Sequence, residues 1–172
     1  ILYATIFIMG LFSFCADKDK AEKASPFFVE SETEKPEIVL ISVYDNYMVN
    51  PELKTSWGFA CVIETPAEKL LFDTGGDPVI LLSNMQKMNI DPKSIDKVII
   101  SHVHGDHAGG LEGFLEKNND VTVFIPASFP GSIKNMIINE GAGFIVVSEA
   151  KKISDFLYST GELEGHPEEQ SL

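Results

Sequence analysis

The stretch Lys97–Gly110, "KVIISHVHGDHAGG", constrains this chain more than any other. Three of its four histidines fall within His102–His107, with Asp106 among them. They follow "KVIIS", a short apolar run of the kind that forms a strand buried on both faces. They precede two glycines and "LEGFLEKN", whose Leu111, Phe114 and Leu115 share one face of a helix. A core gains nothing from polar groups here, and burying them unpaired would cost several kcal/mol. The chain must therefore fold so that a strand end and a helix mouth offer imidazole and carboxylate to a ligand.

Side chains alternate along extended backbone, which turns His102 and His104 the same way. A bend is expected at Gly105, where no Cβ obstructs it. Asp106 and His107 then stand at the mouth of a helix expected to start near Ala108–Gly110, and Gly109 and Gly110 let another backbone pass close by. Neutral imidazole and carboxylate are good ligands for a borderline divalent ion. Two separated pairs suit two ions about 3.5–4 Å apart that share a bridging water. The spacing differs from the helix-borne H-E-x-x-H pattern, where both histidines lie four apart on one face.

The rest of the sequence supplies a scaffold for this bend. "EIVLISVYDN" (37–46) and "WGFACVIET" (57–65) read as buried strands, and a turn at Pro66–Glu68 leads into a short strand ending at Asp73. "PVILLSNMQKM" (78–88) has helical spacing, broken by "DPKSID". After the cluster come a helix, the strand "VTVFIP", the helix "SIKNMIINEG" closed by Gly141, the strand "GFIVVSE" and one more strand or hairpin arm in "ISDFLYSTGELEG". Early strands pair as neighbours and later ones alternate with helices, which defines an α/β protein with a mixed sheet covered by helices.

The N-terminal 36 residues have a different character. Residues 1–16 carry no charge and are followed at once by "DKDKAEKAS". That run is short for a membrane span, which needs about 20 residues, and suits the apolar region of a secretory signal. It also resembles a lipoprotein signal in which Cys15 would be the lipidated residue, although Phe14 departs from the small residue usual there. The competing reading is an ordinary buried element. Residues 17–36 are charged and contain two prolines, as a linker does. Export to the periplasm of a bacterium, or membrane anchoring through a lipid on Cys15, follows from the signal reading; a cytoplasmic protein follows from the other. Cys61, in an apolar run, is expected to be a small core residue.

Net charge is −13, from 26 acidic and 13 basic side chains. Such a surface repels phosphate backbones and anionic lipid, which argues against a nucleic-acid partner and leaves a small-molecule substrate held by a local site.

The residues also carry a resemblance. "SHVHGDH" resembles the H-x-H-x-D-H signature of the metallo-β-lactamase fold superfamily, and "LLFDTGG" resembles the strand and Asp-Thr-Gly turn that precede it. With "VYDN", "GFACVIET", "IDKVIISHVHGDHAGGL" and "STGELEG", residues 37–172 are similar to the β-lactamase superfamily II metal-dependent hydrolases, a branch that includes a pterin-linked ribofuranosyl phosphate synthase. The resemblance implies the N-terminal half of an αββα sandwich, a mixed sheet with helices on its outer face, with the C-terminal half lying past Leu172. It implies that His102 and His104 ligate a first metal ion and Asp106 and His107 a second, both Zn2+ with Mn2+ or Fe2+ as alternatives. Asp106 would also orient the attacking water, as the catalytic residue. Asp73 would lie beneath the ligands and position them; on local chemistry a turn or helix-cap aspartate is an equal reading. A third histidine, a bridging acid and a last histidine would come from the other half, and His166 matches none of them, reading as a surface loop residue beside Pro167.

The function so implied is metal-dependent hydrolysis by a water bridging two divalent ions. The alternatives are a transferase or synthase acting on a pterin-like phosphate, and a metal-binding module without catalysis.

Overall fold

The structure, a computed structural model, describes residues 37–172. The signal and linker readings of residues 1–36 fall outside the described residues. Six strands form one sheet in sequence order: β1 (Val39–Tyr44), β2 (Ala60–Glu64), β3 (Lys69–Phe72), β4 (Lys97–Ile99), β5 (Thr122–Pro126) and β6 (Gly143–Val147). The first two pairings are antiparallel and the other three parallel. The change of direction follows from the connections. β1, β2 and β3 are joined without helices, whereas β3–β4, β4–β5 and β5–β6 are joined through α1 (Pro78–Lys87), α2 (Gly105–Ala108) with α3 (Leu111–Leu115), and α4 (Gly131–Asn139). A separate hairpin, β7 (Lys151–Lys152) with β8 (Tyr158–Ser159), follows the sheet. Among the described residues no helix is long and apolar enough to cross a membrane.

Alternation along the strands builds two apolar layers. Val62, Leu71, Val98, Val123 and Ile125 face Leu81 and Met85 of α1, Leu111, Phe114 and Leu115 of α3, and Ile137 of α4. Cys61, Ile63, Leu70, Ile99 and Phe124 face the other way and cluster with Val147 and Ile153. This explains why β4 and β5 read as unbroken apolar runs: both faces are covered. Cys61 is the core thiol expected, and burial pushes its pKa up.

The first strand departs from expectation. Val39 and Leu40 are exposed, and only Val43 and Tyr44 at its far end are buried. β1 is the edge of the sheet, and the apolar layer it joins takes in only Val43 and Tyr44 fully. Periodicity shows that a segment is apolar; it does not show which strand lies outermost.

α1 begins as its sequence dictates. Asp77 caps it, accepting a hydrogen bond from the Val79 amide at 2.7 Å, and Pro78 fills the first turn, where a missing N–H costs nothing. Asn84, amid the buried face, is 1% exposed. Its amide donates to the carbonyls of Val43 and Lys54 at 2.9 and 2.8 Å and its oxygen accepts from the Lys54 N–H at 2.9 Å. It thereby ties the β1–β2 loop to α1. Replacement by alanine strands the buried Val43 carbonyl and two part-buried Lys54 backbone groups, and Asn84→Ala is expected to lower unfolding free energy by about 2 kcal/mol, read from the denaturant midpoint.

Candidate metal centre

The site lies at the carboxyl ends of β3 and β4, two adjacent parallel strands, where ligands of open α/β sheets gather. β3 ends at Phe72, and Asp73 follows with its N–H on the Ile99 carbonyl at 2.8 Å. Asp73 is 1% exposed and adopts φ +59°, a left-handed conformation that aspartate tolerates better than most residues. Its carboxylate faces the loop that leaves β4. Oδ1 accepts from the Ser101 N–H at 2.7 Å, and Oδ2 accepts from the Ser101 hydroxyl at 2.7 Å and meets His107 Nδ1 at 2.8 Å. It is not the cap of α1; Asp77 fills that role.

These bonds select imidazole tautomers. Asp73 only accepts when ionised, so the single Ser101 hydroxyl proton goes to it. The same oxygen lies 2.9 Å from His102 Nδ1 and can only accept there. His102 therefore carries its proton on Nδ1 and leaves Nε2 bare. His107, donating from Nδ1 to Asp73, likewise turns Nε2 outward, 3.6 Å from Asp106 Oδ2. Ser101 carries little signal in the sequence: only a hydroxyl residue between a buried strand and the first histidine marks it.

His102, His104 and Asp106 each bring one donor atom into a group whose members all lie within 4.8 Å of one another. His102 and His104 do point to one side, their rings edge to face at 4.9 Å. The division into a His102–His104 pair and an Asp106–His107 pair is less clean here: Asp106 groups with the first two histidines. His102 and His107 ring centres are 4.1 Å apart, so His107 borders the same space. Burial, then the His107 ring, holds the His102 pKa below its ordinary value against the pull of Asp73 and Glu169. The Asp73 hydrogen bond raises that of His107. His166 is exposed.

The backbone of the bend differs from the expectation at one glycine. Helix α2 starts at Gly105, with His104 as its extended cap residue, and α3 follows at Leu111. A Cβ on Gly105 would meet nothing within 4 Å, so the bend does not depend on that glycine. The constraint lies further on. A Cβ on Gly110 would stand 2.2 Å from the Thr74 carbonyl oxygen, and one on Gly58 2.3 Å from that of Asp106. Thr74 donates through both N–H and hydroxyl to the His107 carbonyl, each at 2.8 Å, Gly110 N–H donates to Gly75 O at 2.9 Å, and Phe59 N–H to Asp106 O at 3.2 Å. A recess of about 310 Å³, walled by Asp45, Tyr47, Trp57 and Phe59, opens onto Asp106 and His107.

Residues 58–147, just over half of the chain, match the metallo-beta-lactamase superfamily, and the chain belongs to that superfamily. Among curated relatives, a 7,8-dihydropterin-6-methyl-4-(beta-D-ribofuranosyl)-aminobenzene-5'-phosphate synthase of Methanocaldococcus jannaschii is 45% identical over 58 residues, 33% of this chain and 20% of that protein. A ribonuclease Z of Pediococcus pentosaceus is 32% identical over 96 residues, 52% of this chain and 28% of that protein. The matched segments thus span well under half of those relatives. Among solved structures, a quorum-quenching N-acyl homoserine lactone lactonase superposes with a TM-score of 0.56 at 17% identity, over 79% of this chain and 66% of that one. The likeness is one of fold: a mixed α/β sheet with helices.

Asp73→Asn places an NH2 group where two donors already point, and Ser101→Ala removes the acceptor for His102. Each is expected to weaken divalent-metal binding about ten- to a hundredfold, as loss of a group that orients a ligand does. Competition titration against a chromogenic chelator measures it.

Proposed function

We propose that this protein is a metal-dependent hydrolase that activates water with two divalent ions, Zn2+ foremost. The observation that carries the reading is the convergence of His102, His104 and Asp106 within 4.8 Å, two imidazoles and one carboxylate with both buried neighbours already hydrogen-bonded. The donor set fits a borderline ion, and three protein ligands leave a position for water or substrate. His107, its Nε2 turned toward Asp106, would serve a second ion with that carboxylate.

A divalent ion bound there lowers the pKa of water toward about 7 and stabilises anionic charge developing on the substrate. The chain's own residues do the rest. Asp73 and Ser101 hold both imidazoles in the tautomer that offers Nε2. Asp106, partly exposed and bordering the recess, orients the attacking water and takes up its proton at a carboxylate oxygen. The recess beside Asp106 and His107 receives the substrate, and the net charge of −13 favours a small molecule over a polyanion. On the signal reading of residues 1–16 the enzyme is exported.

A second reading, a synthase acting on a pterin-like phosphate, is supported by the 45% identity to the Methanocaldococcus enzyme over 58 residues. One set of assays separates the two. The full chain, metal-loaded, is offered lactones, phosphodiesters and a pterin phosphate. Turnover of the first two, lost on chelation and restored by Zn2+, supports hydrolysis; turnover of the pterin alone supports the second reading. His102→Ala and Asp106→Ala are expected to lose more than about 100-fold in rate, beyond what loss of an orienting group costs. Wild-type rates in both would sink the catalytic role of the cluster.

A further inference from the structure

Two large aromatic side chains stand in water beside the histidine loop. Tyr47 is 78% and Trp57 73% exposed, and Trp57 is the only tryptophan of the chain. Both line the recess that opens onto Asp106 and His107. The backbone that carries them is fixed. They flank the neck of the β1–β2 loop, which is closed by the Ser56 N–H on the Asp45 carbonyl at 3.3 Å and by the Gly58 N–H on Asn46 Oδ1 at 2.7 Å. Asp45 Oδ1 accepts from the Tyr47 N–H at 2.9 Å. Gly58, next to Trp57, packs directly on the Asp106 carbonyl, and the Phe59 N–H donates to that oxygen at 3.2 Å. Apolar residues scattered singly over a surface are ordinary. Two rings at an anchored neck, beside a carboxylate of the donor cluster, are not scattered. The carboxylates lining the recess are those of Asp45 and Asp106, and no lysine or arginine lines it.

We propose that Tyr47 and Trp57 set substrate specificity by receiving an uncharged aromatic group of the substrate, carried next to the bond that is hydrolysed. The inference rests on the metal-dependent hydrolase reading above and names the substrate class for that site. A ring entering the recess removes apolar surface from water on both partners, and it adds the ring–ring attraction that a saturated group lacks. Two carboxylates without a basic side chain disfavour negative charge on the group that enters. At about 310 Å³ the recess lies at the small end of ligand sites, so it takes one ring system rather than a whole large substrate.

The test reads occupancy of the recess in the full chain and does not depend on turnover. Trp57, as the sole tryptophan, reports it by fluorescence. With and without Zn2+, acrylamide is expected to quench Trp57 freely, and benzamide, an uncharged aryl amide, to protect it. Benzamide is expected to bind about two- to tenfold more tightly than its saturated counterpart cyclohexanecarboxamide, the factor that an aromatic pair contributes, and more tightly than the anion benzoate. Tyr47→Ala, read through Trp57, and Trp57→Ala, read by broadening of the benzamide proton signals, are each expected to lose the preference. Tyr158→Ala, which removes a ring 60% exposed on β8, is expected to keep it. A Trp57 shielded from acrylamide before any probe is added, benzamide binding no tighter than either other probe, or a preference that survives both loop substitutions overturns the inference. Each of those results leaves the hydrolase reading standing where the wild-type chain binds Zn2+. A chain that binds no Zn2+ overturns that reading, and with it the substrate role of the recess.

Discussion

The carboxylate of Asp73 is the point on which the site depends. A buried carboxylate costs several kcal/mol unless it is paired and hydrogen-bonded, and here both oxygens are used, on the Ser101 amide, the Ser101 hydroxyl and His107 Nδ1. Those three bonds join β3 to the loop after β4, and they fix two ring orientations from one group. The left-handed φ of Asp73 is the local cost, of the order of 1 kcal/mol for a non-glycine residue held there. Such strain persists only where the surroundings over-determine it. The Asp73 N–H bond to Ile99 on one side and the Thr74 bonds to His107 on the other provide that determination.

Rigidity of the histidine loop comes from backbone meeting backbone. Gly110 lies so close to Thr74, and Gly58 to Asp106, that no side chain fits between them. Three segments distant in sequence, the start of β2, the turn after β3 and the loop after β4, thus share one hydrogen-bonded junction. Donor groups carried on such a junction are preorganised, so an ion bound there would not have to order them first. Gln170 adds a fourth segment to the same junction, its backbone N–H donating to the Ser101 carbonyl at 2.9 Å.

What the sequence revealed and what it hid divide along range. That His102, His104, Asp106 and His107 would come together was legible because the bend is local: strand, cluster and helix succeed one another within fourteen residues, Lys97–Gly110. The mixed character of the sheet, early strands antiparallel and later ones parallel, followed from the absence or presence of helices between them. Ser101, Asn84 and Gln170 were not read as special, since each acts through partners far away in the chain: Ser101 on Asp73, Asn84 on Val43 and Lys54, Gln170 on Ile100 and Phe124. No periodicity marks a polar residue that a fold will bury against a distant carbonyl. The exposure of Val39 and Leu40 was hidden for the same reason, because being the edge strand is a property of the assembled sheet. Gly105 erred in the opposite sense: a glycine at a bend invites a steric explanation, yet the space around it is open and the requirement falls on Gly110.

The same reasoning separates the parts of the site that a fold fixes from those it leaves free. At 17% identity to a solved lactonase the fold persists over 79% of this chain, so the fold tolerates replacement of most of its side chains. Ligand geometry cannot be replaced in that way, since it depends on atom positions at the ends of β3 and β4. The walls of the recess can. Tyr47 and Trp57 stand on the β1–β2 loop and are largely exposed, so neither is committed to the core. That loop is closed on itself where Asn46 accepts from the Gly58 N–H at 2.7 Å, and is tied to α1 where Asn84 holds Lys54. Changes between those points alter the recess without disturbing Asp73 or the histidines. A chain built this way could keep a donor cluster constant while the shape and polarity of the adjoining recess vary, which is how one fold comes to serve many functions.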